Sequence, residues 1–182
     1  MKPILTHSDL IELGRDWLIK PYAACKDYGH SGCAVVITEI CASTWGGEQP
    51  DVLGFTGKKS ILIECKASLS DFRADKNKPF REHPEFGIGC QRWFLAPLNI
   101  IPKEELPPKW GLLEVTEKGK IKITVKPEIQ ERNYNSEFAI ILSLLRRLNI
   151  APDDHVAIQR YTDLKGFAPS KKKATFYVED AV

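Results

Sequence analysis

The segment 51–66 constrains the fold most strongly, because two strand-like runs stand on either side of one tight turn. The runs are Asp51–Phe55 and Ser60–Lys66, and apolar β-branched residues are frequent in the second. Between them, Gly57 followed by Lys58 predicts a two-residue type II′ turn. A turn of two residues fixes the pairing of every residue in both strands. The sequence therefore predicts a β-hairpin of known register.

In this register Asp51 faces Glu64, and the side chain of Lys66 lies on the same face two residues further on. Two carboxylates in facing positions repel each other, whereas a divalent cation between them reverses the sign of that energy. Hard oxygen ligands suit Mg²⁺ or Mn²⁺. A lysine beside such an ion can orient or deprotonate a water, or neutralise charge on a phosphate, as phosphodiester hydrolysis requires. The alternative is a surface ion pair between Glu64 and Lys66, worth less than about 1 kcal/mol.

The rest of the chain alternates helical and strand-like segments, which predicts a mixed α/β sheet with flanking helices. Thr6 and Asp9 form a capping box for a first helix that Pro21 ends. Ser68 and Asp71 form a second capping box, for a short basic helix that Pro79 ends. The other predicted elements are strands over Cys33–Ile40, Arg92–Ala96, Trp110–Val115 and Lys120–Lys126, and a helix over Glu137–Leu148.

The length of 182 residues fits one domain. We expect this domain over residues 1–150, with residues 151–182 as an extension packed on it. The net charge of +2 excludes a polycation, so any contact with nucleic acid must use a local cluster of charge. The sequence shows neither a signal peptide nor an apolar run of roughly 20 residues, so we expect a soluble, cytoplasmic protein that does not contact a membrane.

The five cysteines leave two interpretations open. Cys25, Cys33 and Cys41 recur every eight residues around His30, which suggests zinc. The close-set cysteine pairs of most structural zinc sites are missing, however. Reduced cysteines that behave as small core residues are therefore favoured, since four of the five lie in or beside apolar runs: Cys33, Cys41, Cys65 and Cys90.

Two motifs resemble those of a known enzyme superfamily. Pro50-Asp51 and Glu64-Cys65-Lys66 are similar to the two halves of the PD-(D/E)xK nuclease motif. The longer run from Glu64 to Lys76 and the strand Arg92–Ala96 resemble the MmcB-like DNA-repair group within that superfamily. The resemblance extends over residues 33–148.

The resemblance implies a restriction-endonuclease-like core and a metal-dependent DNA endonuclease that uses Mg²⁺ or Mn²⁺ in DNA repair or processing. It implies that Asp51, Glu64 and the backbone carbonyl of Cys65 bind the metal, and that Lys66 positions the attacking water. DNA is the implied partner. A homodimer is consistent with it, because nucleases of this fold often pair to cut both strands.

Related nucleases use further polar residues at the same site. An additional acid usually comes from upstream, and Glu39 at the end of its predicted strand is the first choice, with Glu12 and Glu48 as rivals. A glutamine that follows the ExK strand supports the site in some relatives, and Gln91 is the candidate here.

Cations near the motif in sequence could contact DNA phosphates, although acidic residues between them dilute their charge. Trp93 and Phe94 are expected in the core rather than as base-stacking platforms. Two rival functions remain open: a non-catalytic DNA-binding or scaffolding module of the same fold, and a cysteine hydrolase that uses Cys65. The candidate DNA-contacting residues are Lys58, Lys59, Ser68, Arg73, Lys76, Lys78 and Arg81.

Overall fold

The structure is a computed structural model, and it describes residues 5–19, 32–42, 44, 47–78, 81 and 83–148. Internal contacts divide the chain into two units, Met1–Ser143 and Leu144–Val182. The predicted C-terminal extension lies outside the described residues, as do the helix-ending prolines Pro21 and Pro79.

A six-stranded sheet forms the centre of the first unit, and its strands follow one another in chain order. β3 pairs with β4, and β4 with β5, in parallel, while the remaining neighbours are antiparallel. The described residues include three complete α-helices beside this sheet, which confirms the predicted mixed α/β class. The strands are β1 (Val35–Thr38), β2 (Val52–Phe55), β3 (Ser60–Cys65), β4 (Gln91–Pro97), β5 (Gly111–Val115) and β6 (Ile121–Val125), and the helices are α1 (His7–Ile19), α2 (Leu69–Asp75) and α3 (Tyr134–Arg147).

Several element ends differ from the predicted ones for local reasons. β1 stops at Thr38 because Glu39 has a positive φ of 48°, which turns the chain out of the strand. α2 gives way to a tighter turn, in which the backbone N–H of Lys76 donates to the carbonyl of Arg73. α3 begins three residues before the predicted Glu137, and the side chain of Asn133 accepts a hydrogen bond from the Ser136 backbone there.

The hairpin of β2 and β3 has the predicted register, with Val52 opposite Ile63 and Phe55 opposite Ser60. The predicted turn type is wrong, because Gly57 is not among the described glycines with positive φ, which a type II′ turn requires at that position. Thr56 stabilises the turn instead: its hydroxyl accepts a hydrogen bond of 2.9 Å from the Lys59 backbone. A side-chain hydrogen bond thus stabilises this turn, and the turn does not use the positive φ that glycine allows.

α1 packs on one face of the sheet. Thr6 and Asp9 form the predicted capping box, with the Asp9 carboxylate accepting from the Thr6 backbone at 2.8 Å and the Thr6 hydroxyl accepting in return at 3.2 Å. The apolar stripe of α1 is buried against alternate residues of the central strands. This core includes Leu10, Trp17, Leu18, Val52, Ile61, Ile63, Cys65, Trp93, Leu95 and Leu113.

The opposite face of the sheet carries a second buried group of aromatic residues. Phe72 of α2 meets Phe94 of β4 edge to face, with ring centroids 5.0 Å apart. Phe94 in turn stacks on Trp110 at 4.5 Å. Trp93 and Phe94 are both buried, so the expectation that they belong to the core is confirmed.

Arg92 of β4 is buried and ties two distant loop segments to the sheet. Its guanidinium donates to the carbonyls of Ile88, Gly89 and Pro84 at 2.7–3.0 Å. It also donates to the carbonyl of Glu131 at 2.8 Å. These backbone acceptors satisfy a cation that burial would otherwise destabilise.

The four described cysteines are free thiols. Cys65 and Cys90 are buried as expected, and Cys33 is partly buried. The expectation is wrong for Cys41, which is exposed because it follows β1 in an irregular segment. Cys25 and His30 lie outside the described residues. None of the described helices is both long enough and apolar enough to cross a membrane.

Candidate active site

The candidate site lies where β3 ends. The pairing of β2 with β3 ends at Val52 and Ile63, and Asp51 and Glu64 are the residues directly next to this last pair. The Glu64 side chain is only 2% exposed, and its Oε1 atom is buried without a hydrogen-bond partner. Burial raises the pKa of Glu64; the charge of Arg81 opposes this rise and that of Asp51 adds to it. The two predicted ligands therefore interact electrostatically.

Asp51 is the more accessible acid of the pair, with a side chain that is 19% exposed. Its Oδ2 atom accepts a hydrogen bond of 2.7 Å from the backbone N–H of Cys65. Its Oδ1 atom lies 3.3 Å from Nε2 of His7, at the start of α1. The sequence analysis missed His7, which comes close only because α1 packs beside the hairpin.

Lys66 is buried beside Glu64, with a side chain that is 5% exposed. Its Nζ atom lies 3.4 Å from Oε2 of Glu64 and 3.0 Å from Oδ1 of Asp75. Burial alone would lower the pKa of Lys66, but the negative charges of Glu64 and Asp75 outweigh it and leave this pKa raised. The ammonium is therefore charged at neutral pH.

Asp75 is a second residue that sequence reasoning missed. It lies at the end of α2, is buried, and contacts Lys66, Lys78 and Arg81. Burial would raise its pKa, but hydrogen bonding and charge from Arg81, followed by the charge of Lys66, lower it strongly. In the sequence Asp75 alternates with basic residues, a pattern typical of a helix face exposed to solvent. This pattern does not indicate that the side chain of Asp75 is buried.

Arg81 is buried within the acidic cluster, with a side chain that is 4% exposed. Its guanidinium lies 3.3 Å from Glu48, 3.6 Å from Glu64 and 4.3 Å from the ring centre of Trp110. This burial contradicts its predicted role as a DNA contact. The position beside several carboxylates explains the burial, since these acids compensate the charge.

The structure brings Glu48, rather than the preferred Glu39, to the cluster. Glu48 is buried, and its Oε2 atom accepts a hydrogen bond of 2.7 Å from the Ile88 backbone. Burial raises the pKa of Glu48 to about 7, opposed by Arg81 and assisted by the charge of Glu64. Glu39 and Glu12 are both exposed. The position thus favours Glu48 as the additional acid.

The structure does not bring Gln91 to the cluster. Gln91 pairs with Ile61 while Glu64 pairs with Phe94, so Gln91 lies three residues away along the sheet, about 10 Å. Because side chains alternate between faces, Gln91 also points to the α1 face, opposite Glu64. The suggestion that Gln91 supports the site is therefore wrong on position.

The remaining predicted DNA contacts are dispersed. Lys58 and Lys59 lie at the hairpin turn, about 17 Å along β3 from Glu64. Arg73 and Lys76 both pair with the carboxylate of Glu105, at 2.7 Å and 2.9 Å. The hydroxyl of Ser68 caps α2, and Lys78 contacts Asp75 at 2.7 Å.

The donor set fits a hard divalent cation. Asp51 and Glu64 supply carboxylates where β2 begins and β3 ends, and the partnerless Oε1 atom of Glu64 leaves one buried oxygen available. Within the part of the chain that the structure describes, no three His, Cys, Asp or Glu side chains form a metal-binding group. The resemblance implies the backbone carbonyl of Cys65 as a further protein ligand.

The position of Cys65 disfavours the rival cysteine hydrolase. Cys65 belongs to the core under α1, on the face opposite Glu64. Burial strongly raises the pKa of its thiol, and the charges of Asp51 and Glu64 raise it further. A thiol that does not ionise is a poor nucleophile.

Comparison with known proteins adds a fold relationship. No family model and no curated protein matches this chain. Among solved structures, the chain is similar to the SPO1766 protein of unknown function from Silicibacter pomeroyi, with a TM-score of 0.51 and 22% sequence identity. The similarity covers 79% of this chain and 89% of that one. At this identity, the likeness shows a shared fold.

Proposed function

We propose that this chain is a metal-dependent DNA endonuclease, which hydrolyses phosphodiester bonds in DNA repair or processing. One observation carries the proposal: Asp51 and Glu64 flank the last pair of the hairpin and interact electrostatically, and Lys66 lies 3.4 Å from Glu64. A purely structural hairpin gains nothing from two neighbouring carboxylates, one of them buried with an unsatisfied oxygen. The PD-(D/E)xK resemblance assigns hydrolytic roles to the same three residues.

In this proposal Asp51, Glu64 and the carbonyl of Cys65 hold Mg²⁺ or Mn²⁺. The bound cation would make a water nucleophilic at neutral pH and neutralise charge on the phosphate. The raised pKa of Lys66 keeps its ammonium charged, which excludes a role as general base. A charged ammonium cannot accept a proton, so Lys66 donates hydrogen bonds that orient the water or stabilise the developing phosphate charge.

Matched isosteric variants test the proposal with labelled duplex, single-stranded and branched DNA, in Mn²⁺ and in chelator. Asp51→Asn, Glu64→Gln and Lys66→Met should each abolish cleavage while circular dichroism remains that of the parent. Glu48→Gln should also lose activity, whereas Glu39→Gln, at an exposed position, should retain it. Parent-like cleavage by the first three variants would disprove the site assignment.

A second candidate function is a non-catalytic DNA-binding or scaffolding module of the same fold. The observation that favours it is the charge around Glu64, whose Oε2 atom already has Lys66, Arg81 and Lys78 within 3.4–3.7 Å. Such internal cations can neutralise the acid without a metal. Calorimetry with Mn²⁺ separates the two functions: the nuclease has a binding site that Asp51→Ala removes, and the binding module has none.

A further inference from the structure

Lys66 has two buried carboxylates beside it, and the one outside the nuclease motif is closer. Its ammonium lies 3.0 Å from Asp75 and 3.4 Å from Glu64. Asp75 is nine residues downstream of Lys66 on a different element, and its side chain is as deeply buried as that of Glu64. Asp75 is therefore the stronger hydrogen-bond acceptor for Lys66.

The same asymmetry holds for the other two cations of the cluster. Lys78 lies 2.7 Å from Asp75 and 3.7 Å from Glu64. Arg81 likewise approaches Asp75 more closely than it approaches Glu64 at 3.6 Å. All three cations thus lie closer to Asp75 than to Glu64, although Lys66 also donates a hydrogen bond of 3.4 Å to Glu64. This arrangement explains how Glu64 keeps one buried oxygen without a partner amid three positive charges.

We propose that Asp75 is a positioning residue, which holds Lys66 in place and keeps Lys66 and Lys78 from closing over the carboxylate of Glu64. The inference rests on the proposed function, since it concerns the same site. Without the charge of Asp75, Glu64 still lies within 3.7 Å of both Lys66 and Lys78. Arg81 keeps Glu48 at 3.3 Å. The two lysines would then move towards Glu64 and compete with a divalent cation for its oxygens.

A measurement without metal or substrate tests whether Asp75 holds Lys66. In a protein labelled with ¹⁵N-lysine, a buried hydrogen-bonded ammonium exchanges its protons slowly, and Lys66→Met identifies its signal. Asp75→Asn should accelerate this exchange about tenfold, the factor that a loss of about 1.4 kcal/mol of protection gives. Asp71→Asn removes the same charge from an exposed position of α2 and should leave the signal unchanged. Unchanged exchange in Asp75→Asn would overturn the proposal.

Calorimetry with Mn²⁺ tests whether Asp75 acts through the cations. Asp75→Asn should weaken Mn²⁺ binding about tenfold, because the released cations compete for Glu64. The effect should shrink to about threefold or less when Lys78, which is 42% exposed, is replaced by glutamine. Equal weakening in both backgrounds would show that Asp75 contacts the ion itself, which overturns the positioning role. If the parent binds no Mn²⁺, the proposed function fails, and the ammonium exchange alone then decides whether Asp75 holds Lys66.

Discussion

Glu48→Gln should remove a large part of the pH dependence of stability. Glu48 is buried, and its pKa is raised from 4.5 to about 7. Between these two values the folded protein keeps a proton on Glu48, whereas the unfolded chain releases it. The free energy of unfolding therefore falls as the pH rises from 4.5 to 7 and becomes constant, with respect to this group, above pH 7.

The size of the effect follows from the pKa values. A rise from 4.5 to about 7 corresponds to about 3 kcal/mol, since each tenfold change in proton affinity is worth about 1.4 kcal/mol. Glutamine imitates the protonated acid and can still accept the hydrogen bond from Ile88. Glu48→Gln should thus match the parent near pH 4.5 and exceed its stability by about 3 kcal/mol at pH 7 and above.

Urea unfolding of the metal-free protein, repeated from pH 4.5 to 8, measures the two curves. The difference in stability between Glu48→Gln and the parent should grow through this range and level off near pH 7. Parallel curves would show that Glu48 is ionised throughout and would refute the raised pKa. A variant that is more stable yet inactive would fit a buried charge retained for function rather than for folding.

Three further predictions concern other parts of the fold. Hydrogen bonds from Arg73 and Lys76 lower the pKa of Glu105 to about 2, so its ionised form stabilises the fold above pH 4.5, and this stability is lost as the pH falls from 4.5 to about 2. Glu105→Gln should therefore be less stable than the parent at pH 5 and converge with it near pH 2; thermal unfolding from pH 2 to 5 checks this, and added salt should weaken the difference. Gly111→Ala should destabilise the protein by roughly 1–3 kcal/mol in urea, since a Cβ atom there would lie 2.5 Å from the rigid ring of Trp93; an unchanged midpoint contradicts the packing. Iodoacetamide should label Cys41 but not Cys65 in the folded protein, because Cys41 is exposed and the Cys65 thiol is buried with a raised pKa. Mass spectrometry measures the labelling, and labelling of Cys65 that abolishes activity would support the cysteine hydrolase instead.

Local sequence patterns correctly predicted those parts of the fold that depend on residues close together in the chain. The hairpin register follows from the number of residues in the turn, and it was predicted correctly from Val52–Ile63 to Phe55–Ser60. The turn type could not be predicted from Gly57 and Lys58 alone, because a hydrogen bond to the hydroxyl of Thr56 stabilises the turn. The capping box of α1 was equally predictable, since its partners lie three residues apart.

The rest of the site depends on contacts between distant segments, which periodicity does not encode. Asp75 and Arg81 lie in a stretch of mixed charge that is typical of a solvated surface, and only the packing of α2 over the sheet turns them inward. Glu48 precedes the hairpin in an irregular segment, so no pattern distinguished it from Glu39. Gln91 was misplaced because a position in sequence after β3 does not reveal which face of β4 it occupies.

The carbonyl contacts of Arg92 bear on how the molecule opens. The guanidinium of Arg92 joins the connection before β4 to a segment that lies 39 residues beyond Arg92 in the chain. If either connection moved away alone, the buried guanidinium of Arg92 would lose hydrogen-bond acceptors, which is energetically unfavourable. The two loops and the central strand should therefore come apart together, in one cooperative event. The amide of Ile88, which Glu48 holds in place, would then exchange with solvent only when that whole region unfolds.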